Sequence, residues 1–184
     1  MDEKGKGSVR VYKWDKCEWK QLGKTVTEKY DNGALGGAVS ISGDGNTVAV
    51  GVSSANNSKG SVIVYFYSKK KKWVKCGTID GEKNFNSIGG KNSVSMSDNG
   101  KTLAVGGNNV DVKVVVVKVD KNEKECSLKE KAVLSISKKA GGGSVNLSGN
   151  GKMVAVGISS GARLVEFFRF SGKNGIDMSI RLMV

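Results

Sequence analysis

An all-β fold built from repeated four-stranded antiparallel units is what this sequence predicts, and three observations predict it. A block reading AVSISGDGNTVAVG over residues 38–51 returns as SVSMSDNGKTLAVG over 93–106 and as SVNLSGNGKMVAVG over 144–157. A second block, GSVRVY at 7–12, returns as GSVIVY at 60–65, with weaker copies at 113–119 and 161–167. The order is kept at a spacing of roughly 50 residues, so whole units are duplicated rather than single strands. Third, apolar residues alternate with small or polar ones, and Gly and Ser interrupt the chain about every ten residues, which leaves no helical periodicity.

Each element follows from its residues. The first strand of a unit carries Val39 and Ile41, the second Val48 and Val50, both with the period of a half-buried strand. Between them sit Asp44-Gly45, Asn99-Gly100 and Asn150-Gly151, pairs that tolerate the positive φ of a tight hairpin turn. The third strand is the Val-x-Val-Tyr segment. The fourth contains a Trp: Trp19-Lys20-Gln21-Leu22-Gly23 matches Trp73-Val74-Lys75-Cys76-Gly77, so Cys76 occupies an apolar slot held elsewhere by Leu22. Four antiparallel strands per unit of about 50 residues is the arithmetic of a β-propeller blade. A sandwich leaves the duplication of whole units unexplained, and a β-helix needs shorter repeats.

The chain opens on a third strand, which gives two strands followed by three sets of four, about three and a half blades. Residues 1–6 read as an N-terminal tail. Residues 7–184 read as a single repeat domain, divided into a half blade at 7–37 and units at 38–92, 93–143 and 144–184. Closure takes at least four blades, so an open arc or a fragment of a larger propeller is expected. Two copies do not simply complete each other, because both bring the same outer half-blade. Open blade edges and uncovered apolar faces predict self-association.

The string S-x-D/N-G-x-T-V/L-A-V-G, followed by G-S-V-x-V-Y and W-x-x-L/C-G, resembles the integrin-like FG-GAP propeller repeats. Kelch repeats share the unit length, the V-x-V-Y strand and the later Trp. The resemblance covers residues 7 to about 170 and implies a protein that presents binding surfaces. The calcium loop Asp-x-Asp-x-Asp-Gly of integrin-type blades is missing: the equivalent turns offer Asp44, Asp98 and, in the third, no carboxylate. Calcium takes about six to eight oxygens, so no metal site is expected there.

The 184 residues carry 30 Lys+Arg against 17 Asp+Glu, a net charge of +13, and no His. Without His there is no His-based triad, general base or metal ligand. Asp31, Asp80, Glu82 and Asp111 lie in loops without useful paired spacing, so no catalytic residue and no cofactor is expected. Gly100-Lys101-Thr102 lacks both the earlier Gly and the following helix of a phosphate loop. Cys17, Cys76 and Cys126 form no Cys-x-x-Cys pair and read as buried or bystander thiols. No apolar run approaches the ~20 residues of a spanning helix and no signal peptide is visible, which leans toward an intracellular location without fixing the compartment.

These features point to a noncatalytic module that binds a protein partner through blade-end loops. The candidate contacts are Phe85, Asn86 and Ile88 in the long loop 80–92, Asn56 and Asn57 in loop 52–59, and Asn108 and Asn109 in loop 107–111. The alternative partner is nucleic acid or another polyanion. Its contact would be Lys69, Lys70, Lys71 and Lys72, placed on the turn between third and fourth strands and supported by the overall charge. A third reading is a structural part of a larger assembly.

Overall fold

The computed structural model describes residues 7–30, 35–82, 87–108, 110–120, 122, 125–136, 143–158, 164–171 and 175–183. β1 (Tyr12–Asp15) and β2 (Glu18–Gln21) pair as a two-stranded sheet. β3 (Ala38–Ile41), β4 (Thr47–Val52), β5 (Ser61–Ser68) and β6 (Lys72–Asp80) follow as a four-stranded meander. The same order recurs in β7 (Val94–Met96), β8 (Thr102–Val105), β9 (Val112–Val119) and β10 (Cys126–Leu134). It recurs again in β11 (Gly143–Leu147), β12 (Met153–Ile158), β13 (Leu164–Ser171) and β14 (Gly175–Met183). Every neighbouring pair is antiparallel. The architecture is all-β, an open arc of blades.

The repeated turn motif has a physical cause. In the first turn Ser42 Oγ donates to Asp44 Oδ1 and accepts from the Thr47 amide at 3.0 Å, while Asp44 Oδ1 accepts from the Asn46 amide at 3.0 Å. Ser97 and Asn99 build the same turn, with the Lys101 and Thr102 amides both at 3.0 Å. Ser148 and Asn150 build it a third time, with Lys152 and Met153 as donors. Gly45, Gly100 and Gly151 supply the positive φ that each turn requires. Partial burial by itself would raise the Asp44 carboxyl, but the Ser42 and Asn46 hydrogen bonds outweigh it and hold the group below its usual range.

Neighbouring blades pack face to face over apolar layers. Val48, Val50, Ile63 and Tyr65 meet Val11, Val26 and Leu35 of the half blade. Ala49, Val62 and Val64 meet Val94, Met96, Leu103 and Val105. Val112, Val114 and Leu134 meet Val145, Leu147, Val154 and Phe168. In β4 and β5 the alternation thus fills two layers, Val48, Val50, Ile63 and Tyr65 on one side of the blade and Ala49, Val62 and Val64 on the other. The first strands are stitched together: Ser40 Oγ accepts from the Met96 amide at 3.0 Å, and Ser95 Oγ from the Leu147 amide at 2.9 Å. Toward the periphery Tyr65 donates to Glu28 Oε1 at 2.6 Å, Lys75 pairs with the same oxygen at 3.2 Å, and Trp73 Nε1 donates to the Leu22 carbonyl at 2.9 Å.

Two cysteines correct the reading of bystander thiols. Cys76 on β6 and Cys126 on β10 form a disulfide that joins two adjacent blades. Cys76 does fill a buried slot, but the slot faces the neighbouring blade, where Cys126 stands with its Cα 4.7 Å away. Cys17 is a free, exposed thiol in the β1–β2 turn.

Candidate functional site

Antiparallel order sorts the connections between two ends of the arc. The β3–β4 and β5–β6 turns lie at one end, where the Tyr67 amide donates to the Asn46 carbonyl at 2.7 Å. The β4–β5 loop and the segment leading from β6 to β7 lie at the other. There the loops of two blades and the start of a third enclose a cleft of about 300 Å3. Ser53 comes from the β4–β5 loop, Ser87, Lys91 and Asn92 from the approach to β7, Asn108 from the β8–β9 loop, and Ser144 from β11.

The cleft is held by backbone rather than by long side chains. Gly51 and Gly89 approach so closely that a Cβ on Gly51 would stand 2.0 Å from the Gly89 carbonyl oxygen. The Ser87 amide donates to the Ser58 carbonyl at 3.0 Å, and Ser93 Oγ to the Gly90 carbonyl at 2.7 Å. The Val145 amide donates to the Asn92 carbonyl at 2.8 Å, tying the loop to the next blade. Its walls therefore offer hydroxyls, amides and the Lys91 ammonium on a fixed frame, a set suited to hydrogen bonding with a polar surface. Among the described residues, no three His, Cys, Asp or Glu side chains gather as a metal set.

The candidate contact residues fall in different places. Asn108 lines the cleft, half-buried. Asn56 and Asn57 lie in the β4–β5 loop, on a one-turn segment Ala55–Ser58, and both adopt left-handed backbone angles that Asn tolerates better than most residues. Asn57 is exposed, whereas Asn56 Nδ2 donates to Ser61 Oγ at 3.1 Å and to Asp80 Oδ1 at 3.2 Å. Ile88 is buried in the layer between two blades, and its side chain serves packing. Phe85, Asn86 and Asn109 lie outside the described residues. Lys69, Lys70 and Lys71 on the β5–β6 turn and Lys72 at the start of β6 are all exposed, at the end opposite the cleft.

Ile88 has a counterpart that the repeated blocks do not reveal. Leu35 bridges Gly7 as Ile88 bridges Gly60, each in parallel, and a Cβ on either glycine would stand 2.2 Å from the partner's carbonyl oxygen. The signal in the sequence is short: Leu35-Gly36-Gly37 against Ile88-Gly89-Gly90.

The overall fold is shared with solved structures. The chain superposes on the periplasmic gluconolactonase PpgL of Pseudomonas aeruginosa with a TM-score of 0.62 and 16% identity, over 96% of this chain and 48% of that one. The β-propeller domain of Cps50 (Swd1) from Myceliophthora thermophila gives 0.54 and 12% identity, over 80% and 41%. Hsv2 of Kluyveromyces marxianus gives 0.56 and 14% identity, over 98% and 57%. The fold is that of a β-propeller. At these identities the likeness concerns the fold alone, and the chain spans about half the length of these propellers. No family model matches the sequence, and no curated protein matches it. No helix among the described residues is long and apolar enough to cross a membrane.

Proposed function

We propose that this chain is a noncatalytic propeller-type interaction module that holds a protein partner through the loops at one end of its blades. The observation that carries the reading is the cleft where loops of successive blades converge on a backbone frame fixed by the Gly51–Gly89 approach. Its serine and asparagine walls offer hydrogen bonds to a polar partner surface. The sequence pattern also supports kinship with the integrin-like FG-GAP and kelch-like repeats, whose members mostly present binding surfaces. A gluconolactonase stands among the solved neighbours, but the absence of His from this sequence and the hydroxyl and amide lining favour recognition over acid–base chemistry.

Two variants test the reading together. Lys91→Glu with Asn108→Ala alters the cleft, and replacement of Lys69, Lys70, Lys71 and Lys72 by Ala alters the opposite end. Partners crosslinked to the unaltered chain should be lost from the cleft variant and kept by the lysine variant. The reverse outcome favours the second reading, a polyanion contact at the exposed lysine turn, which predicts heparin retention falling steeply with salt.

A further inference from the structure

The same position in three successive repeats has two very different environments. Val94 and Met96 on β7 are 8% and 7% exposed, and Val145 and Leu147 on β11 are 6% and 5% exposed. Their equivalents on β3, Val39 and Ile41, are 61% and 50% exposed. Where the side chains are covered, the cover comes from the first pair of strands of the preceding blade. Ala49 of β4 lies in the layer against β7, and Ser40 of β3 takes the Met96 amide. Ahead of β3 the half blade presents a groove of about 400 Å3 lined by Ser8, Val9, Val11, Gly36, Val39 and Ile41 among others.

We infer that this groove is a docking site for a β-hairpin of the β3–β4 type. The same interface already exists twice inside the molecule, and it dictates the occupant. In the complete blade, Ser61, Val62, Ile63, Val64 and Tyr65 pair with Val52, Gly51, Val50, Ala49 and Val48. Residues 8–12 are the repeat equivalents of 61–65, so the second strand of the occupant pairs antiparallel along them. Val9 is already bonded on its far side, exchanging hydrogen bonds with Val26 at 3.0 and 2.9 Å, and among the described residues no strand pairs with its near edge.

Three positions of the occupant are specified. A Ser is needed where Ser40 and Ser95 stand, to accept from the Ile41 amide, the equivalent of the Met96 and Leu147 amides. A small residue is needed where Ala49 and Ala104 stand, because both are fully buried between sheets. A Gly is needed where Gly51 stands, because Gly36, the equivalent of Gly89, lines the groove and the Gly51–Gly89 contact admits no Cβ. A second copy of this chain has no such hairpin to offer, since its own first pairs are already built into sheets. The surface is separate from the loop-end cleft, so the two proposals fail independently.

The probe is a fluorescently labelled peptide of residues 38–52, which carries Ser40, Ala49 and Gly51. It should bind saturably and slow amide exchange at residues 8–12. Val39→Asp with Ile41→Asp in the protein, or Gly51→Val in the peptide, should each weaken binding at least tenfold; both protein positions are exposed, so the fold is preserved. In a second arm the same segment is joined ahead of residue 1 through a flexible linker. It should raise the Tm, and the double Asp change should cancel the rise. Equal binding to both proteins or an unchanged Tm of the joined form would each overturn the inference.

Discussion

Asp44 shows how one side chain fixes a turn. Its carboxylate accepts from Ser42 Oγ and from the Asn46 amide, and these bonds lower its folded pKa below that of the unfolded chain. A lowered carboxyl stabilises the fold at neutral pH and loses that contribution as the pH falls through the folded value, below the usual ~4. Asp44→Asn places in this turn the amide that Asn99 and Asn150 already supply in the others. The expected outcome is a retained fold with a shallower loss of Tm in acid, measured by thermal melts across that range. Two glycines make a second pair of tests. Gly45 needs positive φ, but a Cβ added there would meet no atom within 4 Å, so Gly45→Ala should cost about 1 kcal/mol. Gly51→Ala meets a backbone carbonyl at 2.0 Å, and denaturant titration should show a loss of about 2–3 kcal/mol or more.

At the level of strands and blades, repetition made most of the pattern readable. The Ser-x-Asp/Asn-Gly turn is local, since its hydrogen bonds close within five residues, and such signals survive in sequence. The lysine run on the β5–β6 turn was readable for the same reason. Two features were not. Leu35 and Ile88 act through a parallel bridge to glycines far away in the chain, and a three-residue match is too short to stand out. The cysteines pair between blades, with Cys76 at a bulge of β6 and Cys126 at the start of β10, so no comparison of one repeat with the next brings them together. Of the candidate site, Asn108 was legible from its place in a short loop between two strands. Ile88 looked like a loop residue because its burial depends on the next blade. The bridge spans 50 residues, and on loop-closure arguments it contributes about 4 kcal/mol as an upper figure. Cys76→Ser with Cys126→Ser should lower stability by about 2–4 kcal/mol in denaturant titrations, and reduction of the unaltered chain should reproduce that loss.

Across the whole arc, both terminal faces carry apolar side chains that interior blades bury. Tyr12, Trp14 and Trp19 are exposed on the half blade, whereas Tyr65, the equivalent of Tyr12, is buried and bonded to Glu28. Met153, Ile180 and Leu182 are exposed at the far end. Faces of this kind favour head-to-tail association, a geometry that forms rings where rotation closes and filaments where it does not. The expected outcome in sedimentation equilibrium is a mass that rises with concentration. Ile180→Lys with Leu182→Lys should shift the protein toward monomer, and an unchanged mass distribution would remove these faces from the account.

The bridge between β6 and β10 also sets how the chain answers a mechanical load. Pulled from its two ends, the oxidised protein keeps the 50-residue segment between Cys76 and Cys126 out of the path of the force. At about 3.4 Å per extended residue, its full extension is shorter than that of the reduced protein by about 170 Å. In a single-molecule stretching trace, the last part of the second blade and the first three strands of the third then stay slack while the rest unravels.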